Sequence, residues 1–346
     1  MMTIHEKYMH RCLDLATRGA GNVAPNPMVG AVLVYDDVII GEGYHLQYGG
    51  PHAEVNCINS VSENDKKNIS RSTMYVSLEP CSHFGKTPPC ADLIIEKNIP
   101  SVVIGCSDIY KEVSGKGIEK LRQAGISVEV GILEKEAIAL NKRFFIFHEK
   151  QRPYIILKWA QSANEKIANG DYTSVAISNE QTNKRVHKWR SEEAAILVGT
   201  NTARHDNPSL TTRLWEGNNP TRVVIDKKLS LPETLHLFDN SIKTIVFNTI
   251  KEEVKGNMSF YKIEDNVDLI EQILNILYHQ NIQSIIIEGG TKTLQSFINK
   301  GLWDEARIIT NQELIIENGI ASPIFSSSNI FTTEKILSDK IEFYKN

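Results

Sequence analysis

Residues 79–90 read Glu79-Pro80-Cys81-Ser82-His83-Phe84-Gly85-Lys86-Thr87-Pro88-Pro89-Cys90, and residues 51–54 read Pro51-His52-Ala53-Glu54. Among their side chains, His52 supplies an imidazole, Cys81 and Cys90 two thiols, and Glu54 a spare carboxylate. An imidazole with two thiolates is a ligand set for a tetrahedral zinc whose fourth position stays open to water. Such a zinc acidifies its water to near neutral pH. Glu54, two residues past the histidine, is then available to move protons rather than to bind metal. A positioned acid and base of this kind contributes about 10²–10⁴-fold to a rate.

The expected metal ligands are therefore His52, Cys81 and Cys90, with Glu54 as the catalytic carboxylate. Pro51 suits a first helical turn, and cysteines near helix starts have lowered pKa values that favour the thiolate. The pattern matches the zinc deaminase signature, which usually leaves two residues between its cysteines. Here Ser82 to Pro89 leaves eight. Cys12, Cys57 and Cys106 read as small core residues.

Composition bounds the rest. A chain of 346 residues, 41% hydrophobic and 23% charged, is long enough for two globular domains. Net charge is −4, and the basic residues are scattered. A nucleic-acid binder usually shows a basic face, so a small-molecule substrate is expected instead. No stretch approaches the roughly eighteen apolar residues of a membrane span. Met1 to Thr17 reads as an amphipathic helix, not an export signal. Unevenly spaced cysteines without such a signal point to reduced thiols in the cytoplasm.

Strand and helix patterns alternate, which predicts an α/β fold on mostly parallel or mixed sheets. Helix is expected from His5 to Arg18, strand from Val29 to Tyr35, a turn at Asp36-Asp37, and strand from Val38 to Gly43. Further strands are expected at Met74 to Leu78, Ser101 to Cys106 and Val128 to Ile132, with a helix from Ala53 to Val61. A polar helix from Glu134 to Phe147 ends in the charged run His148 to Arg152, closed by Pro153. That run places the domain boundary, giving domains of residues 1–147 and 148–346. Later strands are expected at Tyr154 to Trp159, Ala194 to Val198, Arg222 to Asp226, Lys243 to Phe247 and Ser284 to Glu288. Glycine-bearing strand ends at Gly199-Thr200-Asn201-Thr202 and Gly289-Gly290-Thr291 are where α/β sheets receive ligands. No Gly-x-Gly-x-x-Gly fingerprint is present.

The long cysteine gap narrows the family. With Pro25-Asn26-Pro27-Met28-Val29-Gly30, Gly41-Glu42-Gly43-Tyr44-His45 and Pro51 to Val55, it resembles the bifunctional riboflavin biosynthesis deaminase–reductases. The resemblance runs through nearly the whole chain. It implies a zinc-dependent, cytidine-deaminase-like α/β/α sandwich followed by a dihydrofolate-reductase-like α/β domain. The first would hydrolyse the ring amine of 2,5-diamino-6-ribosylamino-4(3H)-pyrimidinone 5′-phosphate. The second would reduce the ribosyl group of the product to a ribityl chain with NADPH. Zn²⁺ and NADPH are the implied cofactors, a pyrimidine nucleotide the implied small-molecule partner, and a homo-oligomer the implied assembly.

By the same resemblance, Asn26, His45, His83 and Lys86 would contact the deaminase substrate. Ser174, Arg190, Asp206, Leu210, Arg213 and Glu288 would contact the reductase substrate, whose phosphate suits guanidinium groups. Ala160, Ala176, Thr202, Lys227, Gly290 and Thr291 would meet the cofactor. Some positions depart from the family pattern: Asn164-Glu165 replaces Asp-Gly, Ala176 replaces a tryptophan, Lys227 a small hydroxyl residue and Thr291 a proline. Two other readings stay open: a deaminase whose second domain is only a binding or dimerisation module, and a deaminase of nucleic-acid bases.

Overall fold

In the computed structural model, which describes residues 2–84, 88–109, 114–173 and 175–346, Thr3 opens the first helix. Its hydroxyl accepts from Glu6 N at 3.2 Å while the Glu6 carboxylate accepts from Thr3 N at 2.7 Å. This reciprocal cap satisfies two otherwise orphaned N–H groups. Lys86 and Ser174, both expected at substrate sites, lie outside the described residues.

The chain divides into two compact units, Met1–Lys150 and Gln151–Asn346. The first runs α1 (Ile4–Thr17), β1 (Gly30–Tyr35), β2 (Val38–Tyr44), α2 (Ala53–Asn59), β3 (Thr73–Leu78), α3 (Cys90–Glu96), β4 (Ser101–Cys106), α4 (Lys116–Gln123), β5 (Ser127–Val130), α5 (Glu134–Leu140) and α6 (Lys142–Lys150). Asp36 and Asp37 both take positive φ, 50° and 59°, which suits the tight turn joining β1 to β2.

The sheet order is β2-β1-β3-β4-β5, antiparallel across β1 and parallel from β3 onward. Successive strand residues point to opposite faces. Ala31, Leu33, Met74, Val76, Val102 and Ile104 pack with α2, α3 and α4 residues such as Cys57, Ile94 and Leu121. Val32, Val34, Tyr75 and Val103 pack with Tyr8, Met9, Cys12 and Leu15 of α1. The result is the three-layered sandwich.

The single polar helix expected over Glu134–Phe147 is two helices. Asn141 breaks it: its amide pairs both ways with Met28, accepting from Met28 N and donating to Met28 O, each at 2.8 Å. Helix α6 then runs through His148 and Glu149 to Lys150, so the first unit extends beyond residue 147.

The second unit runs β6 (Tyr154–Ser162), β7 (Lys166–Asn169), α7 (Glu180–Glu192), β8 (Ala195–Gly199), α8 (Thr200–Asp206), β9 (Thr221–Ile225), β10 (Thr244–Asn248), β11 (Glu253–Lys255), β12 (Met258–Lys262), α9 (Leu269–His279), β13 (Ser284–Ile287), α10 (Thr291–Asn299), β14 (Glu305–Asn311), β15 (Gly319–Ala321), β16 (Ile330–Ile336) and β17 (Asp339–Lys345). Ten strands form one sheet, ordered β11-β12-β10-β9-β8-β13-β6-β14-β17-β16. The seven from β12 to β14 are parallel, and β11, β17 and β16 add antiparallel edges.

Strands β8 and β13 read as continuous apolar runs because both of their faces are covered. Leu197, Val223, Ile285 and Ile287 pack with α9 and α10 residues on one face. Ile196, Val198 and Val224 pack with Leu210, Leu231 and Leu237 on the other. The parallel strands bring the C-terminal ends of β6, β8 and β13 side by side, with Ile287 in register with both Leu157 and Leu197. That edge carries the ligand cavity. Among the described residues, no helix is long and apolar enough to cross a membrane.

Candidate functional site

In the first unit, α2 is seated by Gly43: a Cβ there would lie 2.2 Å from Cys57 N, so only glycine lets β2 and the helix approach this closely. His52 is the residue capping α2, in extended conformation, and Pro51 lies outside the first turn where the sequence had placed it. Glu54 follows on the first turn, buried at 3% exposure. Cys81 follows the end of β3, and Cys90 is the first residue of α3.

These elements bring His52, Cys81 and Cys90 together, with one donor atom from each lying within 4.8 Å of the others. His52 Nδ1 is 3.6 Å from the Cys81 sulfur and 3.4 Å from the Cys90 sulfur. Cys90 N–H donates to the Cys81 sulfur at 3.3 Å. One borderline nitrogen and two soft sulfurs, with an amide supporting one sulfur, fit zinc.

Electrostatics separate the two thiols. A hydrogen bond from Cys90, seconded by His52, holds Cys81 down at about 4. Cys90 is pushed up by that same bond and by burial, so its helix-start position does not lower it as the sequence reading expected. The hydrogen bond to Cys81 raises His52. Burial, followed by the negative Cys81, raises Glu54 to about 7.

Two of the residues expected around the base are placed. Asn26 Nδ2 lies 3.0 Å from His45 Nε2, and His45 Nδ1 lies 3.0 Å from Pro51 O. This network assigns the Nδ1–H tautomer to His45, and burial lowers its pKa, favouring the neutral ring. The His45 ring meets the His52 ring edge-on at 5.4 Å. His83 is half-buried on the connection after Cys81.

In the second unit a cavity of about 670 Å³ opens at the ends of β6, β8 and β13, within the range of small-ligand sites, about 300–1,000 Å³. Ala160, Ala176, Thr202, Asp206, Glu288, Gly290 and Thr291 line it. A Cβ on Gly199 would lie 2.6 Å from Thr293 Oγ1, and one on Gly289 would lie 2.9 Å from Thr293 Cβ. The Gly199 turn leads into α8 and the Gly289-Gly290 turn into α10, so two helix starts face the cavity, an arrangement suited to a dinucleotide phosphate.

Other expected residues sit elsewhere. Arg190 donates to Glu288 at 2.7 and 3.3 Å and to Thr211 O at 3.3 Å, so its guanidinium is already engaged. Leu210 is 2% exposed in the core beneath β8 rather than on the cavity wall. Arg213 is exposed, and Lys227 pairs with Asp265 at 3.2 Å beyond the end of β9. Asn164 is bound to Ser162 and to both backbone groups of Ile316. Glu165 takes φ 58°, a conformation natural to the glycine it replaces.

Sequence reading missed three cavity residues. Lys158 lines the cavity, its ammonium made more acidic by burial, with Glu288 opposing and Arg190 assisting. Tyr172 and His205 also line it, their rings stacked at 4.2 Å and 12°. Lys158 could have been found as the one charge inside the apolar strand Tyr154 to Trp159. The Tyr172–His205 stack is a tertiary contact with no local signal.

Comparison with known proteins agrees with this geometry. Residues 2–106 match the cytidine and deoxycytidylate deaminase zinc-binding region, and residues 153–314 match the RibD C-terminal domain. The riboflavin biosynthesis protein RibD of Aquifex aeolicus is 37% identical over 344 residues, covering 98% of this chain and 95% of that protein. A diaminohydroxyphosphoribosylaminopyrimidine deaminase/5-amino-6-(5-phosphoribosylamino)uracil reductase from Thermotoga maritima superposes with TM-score 0.89 at 37% identity, over 99% of this chain and 98% of that one. Acinetobacter baumannii RibD gives TM-score 0.90 at 28% identity, over 100% and 99%. Likeness through both halves argues against a deaminase carrying a degenerate second domain. The chain belongs to the RibD family of bifunctional riboflavin biosynthesis proteins, uniting a zinc-dependent deaminase with an NADPH-dependent reductase.

Proposed function

We propose that the first unit converts the ring amine of 2,5-diamino-6-ribosylamino-4(3H)-pyrimidinone 5′-phosphate to a carbonyl, releasing ammonia. The second unit then reduces the ribosyl group of that product to ribityl. The observation that carries the reading is the convergence of His52 Nδ1 on both cysteine sulfurs, beside buried Glu54, in a chain whose second unit holds the Lys158–Glu288 cavity.

His52, Cys81 and Cys90 would hold zinc, which supplies an acidified water. Glu54, raised to about 7, is suited both to accept a proton and to return it to the departing amine. Asn26 and His45 orient the base, and His83 and Lys86 belong to the same substrate segment.

NADPH supplies the hydride in the second unit. Ala160, Ala176, Thr202, Gly290 and Thr291 would hold it along the cavity wall, while Lys227 is engaged with Asp265. Lys158, acidified by burial, gives up the proton that accompanies the hydride. Arg190 holds Glu288 in place beside it. The resemblance assigns Ser174, Asp206, Leu210 and Arg213 to the substrate segment, in which Leu210 packs in the core and the exposed Arg213 guanidinium suits the phosphate. The five cysteines carry no disulfide, which supports a cytoplasmic location, and the resemblance supports a homo-oligomer. Incubating the purified chain with the diaminopyrimidine nucleotide tests the function: ammonia should appear first, and NADPH should be consumed only after it.

A further inference from the structure

Glu79 lies directly after β3 and directly before Pro80 and Cys81, buried at 4% exposure. Its carboxylate accepts four backbone N–H groups. Oε2 takes those of Asp108 at 3.1 Å and Gly115 at 3.0 Å. Oε1 takes those of Gly117 at 3.0 Å and Ile118 at 3.3 Å. Its own N–H donates to Cys106 O at 3.0 Å. Among the described residues, no lysine or arginine pairs with it.

The neighbouring backbone is equally fixed. A Cβ on residue 117 would lie 2.0 Å from Pro80 O, so glycine there lets the start of α4 rest on the Pro80 carbonyl. On the other side, Cys81 O accepts Ala91 N at 3.1 Å, and the Cys81 sulfur accepts Cys90 N at 3.3 Å. Cys81 is thus gripped downstream by the start of α3 and upstream by a dipeptide locked onto β4 and α4. The proton shuttle does not use Glu79, and simple loop closure does not need a carboxylate buried two residues from a metal ligand.

We propose that Glu79 is a positioning residue for the metal site: by gathering the N–H groups of Asp108, Gly115, Gly117 and Ile118, it fixes the Pro80-Cys81 turn where the Cys81 sulfur meets His52 Nδ1 and Cys90. The proposal rests on the reading of His52, Cys81 and Cys90 as zinc ligands. Four donors require acceptors on both oxygens. A glutamine in its place offers one oxygen and turns an NH₂ toward two of them, leaving buried donors unpaired.

The test is the rate of zinc release to a chromogenic chelator, measured on the full chain under native conditions. Glu79→Gln should release zinc at least tenfold faster than wild type. Gly117→Ala, which keeps the carboxylate but pushes α4 off Pro80, should also release faster, and it decides the matter if Glu79→Gln does not fold. Val34→Ala, a core change on the α1 face, serves as the control for lost stability alone and should release zinc at the wild-type rate. The proposal is overturned if a folded Glu79→Gln chain releases zinc no faster than wild type or than Val34→Ala. A wild-type chain that binds no zinc sinks the zinc reading as well, so the two failures are distinguishable.

Discussion

Arg190 and Glu288 form a two-bond ion pair at the cavity of the second unit, their side chains 13% and 10% exposed. Burial pushes the Glu288 carboxyl up, but Arg190 and Lys158 outweigh it and hold it down at about 2. The sequence had offered both residues as separate substrate contacts. The structure spends Arg190 on Glu288 and Thr211, so its role in binding runs through the carboxylate it holds.

The pair makes stability depend on pH with a definite sign. Glu288 is more acidic folded than unfolded, near 4.5. Its contribution is therefore present above pH 4.5 and lost as pH falls from there toward 2. The loss is on the order of 3 kcal/mol. Glu288→Gln should melt lower at neutral pH and show a flatter acid limb. A variant curve parallel to wild type across that window would contradict the assignment.

Lys158→Met should lower the rate of NADPH oxidation by about 10²-fold, the lower end of what a positioned acid contributes. NADPH affinity, followed by fluorescence titration, should hardly change. A near-normal turnover would remove Lys158 from the proton transfer.

Glu54→Ala should keep zinc while losing deamination by about 10²–10⁴-fold or more. Reduction of the deaminated product should be untouched, because Glu54 belongs to the first unit. Metal analysis beside ammonia release checks this. Loss of zinc from the variant would instead make Glu54 part of the ligand set.

Asn26→Ala should raise the Michaelis constant for deamination about fivefold, the worth of one neutral hydrogen bond, and leave zinc content unchanged. An unaltered constant would mean that Asn26 only steadies His45.

How much of this the sequence disclosed depends on where each signal lives. His52, Glu54, Cys81 and Cys90 were legible because their chemistry is packed into two short motifs. The strands at Val29 to Tyr35 and Met74 to Leu78 were legible as apolar runs because each faces a core on both sides. The Arg190–Glu288 pair was not, since its members stand 98 residues apart and meet only through the sheet. Asn141 hid the break between α5 and α6, because its partner Met28 lies 113 residues away. The β16–β17 hairpin also escaped notice: β16 is a largely exposed edge strand and needs no apolar alternation.

The most direct test of the account is a two-step assay of the purified chain before and after chelation. The metal-loaded chain should carry one zinc ion, release ammonia from the diaminopyrimidine nucleotide, and then oxidise NADPH. After chelation, ammonia release should stop while NADPH oxidation with the deaminated product continues. Deamination that survives metal removal, or a loaded chain that never oxidises NADPH, would contradict the account.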